Sequence, residues 1–120
     1  MSQARLRLAQ VVQVCDRLAQ LVSGMSEEEF LGSVLSQSMT ARQLEALGAA
    51  GREALVAEAA DIDLAPLRED LTKAHTLGAM LLRQYFAVDP LVIWDAAVTG
   101  APRLRSLALA ALARSAQRDA

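Results

Sequence analysis

Apolar residues recur along this chain at three- and four-residue spacing and never alternate over a run, which predicts amphipathic helices and no strands. Leu8, Val11, Val12, Cys15, Leu18, Ala19 and Val22 make the first stripe, and Ser23-Gly24 should end that helix. Val14 and Leu21 lie off the stripe, so the helix should also meet a second layer or a partner chain. Ser26-Glu27-Glu28-Glu29 then reads as a capping box, with Met25 and Phe30 as its hydrophobic staple. The glutamates suit the positive end of a helix dipole. Adjacent glutamates on a helix point in different directions, so no metal site is expected of them. After Gly32-Ser33 a long helix carries Val34, Ala41, Leu44, Leu47, Gly48, Gly51 and Leu55 on its apolar side. Each of those glycines costs about 1 kcal/mol of helix propensity relative to alanine. Close approach of another helix is the expected compensation.

Asp61-Ile62-Asp63 separates this helix from the next, and either aspartate can cap it. Leu64, Leu67, Leu71, Ala74, Gly78, Leu81 and Tyr85 form the following stripe. Phe86-Ala87-Val88 leaves the helix, and Asp89-Pro90 begins another, with Asp as the cap and Pro in the first turn. Ile93, Trp94 and Ala97 should face inward, Thr99-Gly100-Ala101-Pro102 should break or kink the element, and Leu104, Leu107, Ala108, Ala111 and Leu112 continue it. The polar tail after Arg114 should fray. The expected fold is all-α: one domain over residues 1–120, an up-and-down bundle of four long helices plus a short helical turn.

Composition adds a constraint on assembly. The chain of 120 residues is 53% hydrophobic but only 3% aromatic, so its core must be built from Leu, Val and Ala. Such a core is thin per residue, and a homodimer burying further helix faces is expected. The net charge of −2 excludes a broadly basic nucleic-acid binder while leaving room for a local basic cleft. A single cysteine, Cys15, permits no intrachain disulfide and no cysteine-based zinc site, and its place in the first stripe makes it a small buried hydrophobe. The longest uncharged stretch, Phe30 to Ala41, is too short to span a membrane. A cytoplasmic protein is the expectation.

Candidate chemistry is sparse. His75 is the only histidine and Lys73 the only lysine. Arg68 and His75 lie seven apart, which sets them on one helix face. No Gly-x-Ser-x-Gly elbow is present. Gly48-Ala49-Ala50-Gly51 is not a phosphate loop, because it lies mid-helix with no strand before it and no Lys-Ser/Thr after it. No metal and no cofactor are expected.

Several segments carry a resemblance. Met25-Ser26-Glu27-Glu28-Glu29-Phe30-Leu31 looks like the opening segment of the HepT-like branch of the HEPN superfamily. Arg42 to Ala50 resembles that branch's R-x-L-E-x-x-G-E-A helix, with Ala49 where the glutamate would stand. Gln84 to Asp95 is similar to its H-x-Y-F-x-V-D-x-x-x-x-W-D segment, and Pro102-Arg103-Leu104 fits the P-x-L that follows. These segments run in the family's order over nearly the whole chain. The resemblance implies a dimeric helical bundle. In active members an R-N-x-x-x-H-x-Y motif lines a cleft between two protomers and cleaves RNA without a metal. Here Tyr85 matches the tyrosine, but Gly78 stands at the arginine, Ala79 at the asparagine and Arg83 at the histidine. A guanidinium stays protonated near neutral pH, so Arg83 cannot exchange protons as an acid/base.

The resemblance therefore implies a non-catalytic, binding member of a toxin–antitoxin-type pair, acting as a homodimer. Its partner would be a minimal nucleotidyltransferase antitoxin, for which Tyr85 is the candidate modification site. Arg83 and Tyr85, with Arg68 and His75, are the candidate cleft residues. Arg83 is expected either to face a shared anion at the two-fold or to pair with an acid of its own chain. RNA cleavage by a relocated Arg68/His75 site is one alternative reading. A structural helical dimer with an unrelated ligand is another.

Overall fold

The computed structural model describes residues 2–57 and 60–118. Four long helices dominate it: α1 (Gln3–Val22), α3 (Val34–Val56), α4 (Arg68–Gln84) and α6 (Ala101–Arg118). Two short ones, α2 (Glu27–Leu31) and α5 (Pro90–Asp95), sit at the turns, and no strand occurs among the described residues. α1 runs antiparallel to α3, with Arg17 bonded to Gln43 at one end and Arg7 paired with Glu53 at the other. α3 runs antiparallel to α4, and α1 antiparallel to α6, where Arg105 meets Asp16 at 2.6 Å. α1 and α3 are thus central, with α6 and α4 flanking, in a slab of 49 × 29 × 18 Å. Its radius of gyration, 14.6 Å, exceeds the about 13.6 Å of a typical domain this long.

Local signals explain most boundaries. The capping box forms: the Glu29 amide donates to Ser26 Oγ at 3.1 Å, and the Ser26 amide donates to Glu29 Oε1 at 2.9 Å. That amide bond, then the Ser26 side chain, lowers the Glu29 carboxyl pKa. α1 ends at Gly24, whose φ of +77° lies in the left-handed region. Gln37 closes α2 from outside, donating to the carbonyls of Phe30 and Leu31 at 3.1 Å each. Asp89 Oδ1 accepts from the Leu91 amide, as expected of the cap before Pro90. Phe30 and Trp94, 5.1 Å apart between ring centroids, join α2 to α5.

Val14, off the first stripe, is buried by a second layer of its own chain, because α1 lies between α3 and α6 and uses two faces. Three expectations are corrected. Asp63 accepts from the Ala65 amide and caps a 3-10 turn, Ala65–Leu67, so α4 begins with no side-chain cap. Pro102 does not break the last element: a π-helical turn, Ala96–Gly100, carries α5 into α6, and the Ala101 amide donates to Ala96 five residues back. The wider turn accommodates a residue that cannot donate. α6 also continues past Arg114 to Arg118, held where buried Ser115 donates to the carbonyl of Asp61.

Candidate functional site

The groove between α3 and α4 exists because glycines meet beneath it. A methyl on Gly48 would lie 2.7 Å from the Ala74 carbonyl oxygen and 3.2 Å from the α-carbons of His75 and Gly78. A methyl on Gly78 would lie 3.1 Å from the Leu44 carbonyl oxygen. The two backbones therefore touch, which is the compensation expected for Gly48, and no side chain rises from the floor. With Ala49, Ala79 and Leu82 the glycines line a groove of about 640 Å³, walled by Arg7, Glu45, Arg52, Glu53 and His75.

Charges in the groove are unevenly satisfied. Arg7 Nη1 lies 3.0 Å from Glu53 Oε2. Glu45, Arg52 and His75 make no hydrogen bond or ion pair among the described residues. The groove thus offers an imidazole, a guanidinium and a carboxylate, all open to a ligand. Arg52 and Glu45 were not singled out by sequence. Their signal was their seven-residue spacing, which sets both on one face of α3.

The candidate residues fall in three places. His75, Gly78 and Ala79 share the groove, with Gly78 buried and the other two half-buried. Arg68 lines a different groove along α4, with Thr72, Thr76, Met80 and Val92, so Arg68 and His75 do not form one site. Arg83 is exposed at the end of α4 and pairs with no acid among the described residues. Tyr85 is half-buried at the start of the 3-10 turn Tyr85–Ala87. Its hydroxyl lies 3.5 Å from Ser38 Oγ, and its ring packs edge-on to Phe86 at 5.2 Å.

Cys15 is remote from the groove. Burial, and then the charge of Asp16, push its thiol up to about 11, so it is neutral and inert at physiological pH. Among the described residues no group of three His, Cys, Asp or Glu side chains could hold a metal ion. No helix there is long and apolar enough to cross a membrane. No family model matches the chain, and no solved structure matches it.

Proposed function

We propose that this protein is a HepT-like HEPN protein without the catalytic Arg and His, a non-catalytic homodimer that acts by binding in a toxin–antitoxin-type pair. The observation that carries the reading is the state of Gly78. It has no side chain to contribute, and it is packed so closely on Leu44, Glu45 and Gly48 that any larger residue would push the helices apart. Ala79 beside it is equally inert, and Arg83 cannot exchange a proton near neutral pH. Proton transfer, which ribonucleolysis requires at both the attacking and the leaving oxygen, has no agent at these positions. What remains is a helical scaffold with an open groove and an accessible tyrosine hydroxyl. Binding, with Tyr85 as the acceptor for a nucleotidyltransferase partner, uses both.

A ribonuclease assay in a chelating buffer tests this reading. The purified protein is expected to leave RNA intact, as is its His75→Ala variant. A second reading, a metal-independent endoribonuclease, draws on the half-buried His75 beside Arg52 in the groove. Cleavage by the native protein that His75→Ala abolishes would establish that second reading and overturn the first.

A further inference from the structure

The bundle leaves one of its seams open. α4 packs along α3, α3 along α1 and α1 along α6, but α4 and α6 are not packed on each other. Arg103 bridges them, its Nε donating to Asp70 Oδ2 at 2.9 Å. Beside that bridge lies a cavity of about 130 Å³, which shares no residue with the glycine-floored groove. Leu44, Leu47, Leu77 and Leu104 supply its large apolar walls, and Asp70 and Lys73 are its only charged lining groups.

Protein interiors hold few voids larger than a water molecule, because a void forfeits the packing of its walls. This void has a cause in the sequence. Ala74 of α4, with Ala96, Gly100 and Ala101 of the π turn and its exit, line the seam with groups too small to close it. The glycine has no other purpose in the fold. Its φ is not positive, and a methyl on it would meet nothing within 4 Å. No crossing helix requires it, as one does at Gly48 and Gly78, and glycine within a helix is unfavourable relative to alanine. Gly100 keeps the mouth of the cavity open, at a π turn of the kind often found at functional sites.

We propose that this cavity binds a small monocarboxylate with a compact apolar body, aryl or branched alkyl, whose carboxylate is held by Lys73. Size sets the body. An apolar cavity of about 150 Å³ stays dry and takes up benzene, so this one accepts a group of that size and excludes a long acyl chain. Charge sets the head. Around the mouth and the groove adjoining it, the cations Arg68, Lys73 and Arg103 outnumber the acids Glu69 and Asp70. Asp70 is already bonded by Arg103, so a ligand amine would find its acid taken. Lys73 is held only by Glu69, at 3.3 Å across an exposed pair one turn back. Exposed pairs of that kind are weak, and an ammonium has three donors with which to take a second carboxylate. The site does not depend on the function proposed above.

Titration calorimetry with phenylacetate and with 4-methylpentanoate tests the assignment, with circular dichroism confirming that each variant remains helical. Saturable binding is expected. Lys73→Glu should weaken it at least tenfold, and Gly100→Leu and Ala96→Leu, which fill the cavity from its mouth and its wall, should abolish it. Phenylacetamide, which keeps the ring and lacks the charge, should bind at least tenfold more weakly than phenylacetate. In methyl NMR spectra the ligand should shift Leu44, Leu47 and Leu104 and leave Leu82, at the glycine-floored groove, in place. Failure of both acids to bind at millimolar concentration overturns the proposal. So does binding that Gly100→Leu and Ala96→Leu leave unchanged, or that shifts Leu82 instead. Phenylacetamide binding as tightly as phenylacetate, or indifference to Lys73→Glu, overturns the monocarboxylate assignment.

Discussion

α1 and the hairpin of α3 and α4 both carry apolar stripes, with opposite fates. α1 lies between α3 and α6, and both of its apolar lines are used: Leu8, Val11, Leu18 and also Val14 are buried. Its polar edges are tied as well, Asp16 to Arg105, Arg7 to Glu53 and Arg17 to Gln43. α3 and α4 pack tightly on each other through Gly48 and Gly78, but Leu35, Leu82 and Phe86 stay in solvent, and Glu45, Arg42 and Arg83 have no hydrogen bond or ion pair among the described residues. An apolar residue at helical spacing thus stabilises the chain on α1 and is left over on the hairpin face. The difference lies in how many neighbours each helix has.

The sharpest test of that contrast is Leu18→Ala. Leu18 is fully buried in α1, and its truncation should lower unfolding free energy by about 2–5 kcal/mol in urea titration. A loss as small as that of a surface residue would break the comparison. Next is Gly48→Ala. Helix propensity favours alanine by about 1 kcal/mol, but the added methyl would sit 2.7 Å from backbone at the α3–α4 crossing. The clash should win, for a net destabilisation of about 1–3 kcal/mol; a stabilised variant would show that the helices can separate freely. The smallest effect is expected of Leu82→Ser, which should change urea stability by no more than about 0.5 kcal/mol when measured too dilute for association. A larger loss would mean that the hairpin face is covered within the monomer.

Much of the architecture was legible because its causes are local. Ser26 and Glu29 stand at capping-box spacing, Gly24 sits where a left-handed residue ends α1, and Asp89-Pro90 starts α5. The misreadings share one origin, which is that a side chain's surroundings come from elements distant in sequence. Val34 fits the α3 stripe yet is 75% exposed, since no helix covers the first turn on that side; Ala54 near the other end is fully buried instead. At Pro102, where a break or a kink was expected, the π turn before it supplies room and the helix continues. The site was less legible than the fold. Arg68 and His75 share a helix face in projection, but α3 lies along one flank of α4 and not the other, so they line separate grooves.

Sequence by itself determined the long helices, the caps at Ser26 and Asp89 and the need for a close crossing at Gly48, because helix period, capping and glycine cost act within a few residues. It also determined the absence of an acid/base group at Gly78, Ala79 and Arg83, which is a matter of side-chain chemistry. Only the tertiary structure decided which helix is covered on two sides, that Glu45 and Arg52 join His75 above a glycine floor, and that Phe86 stands in solvent beside it. Those outcomes depend on which helices the topology sets side by side, and burial is a property of the pair and not of either partner.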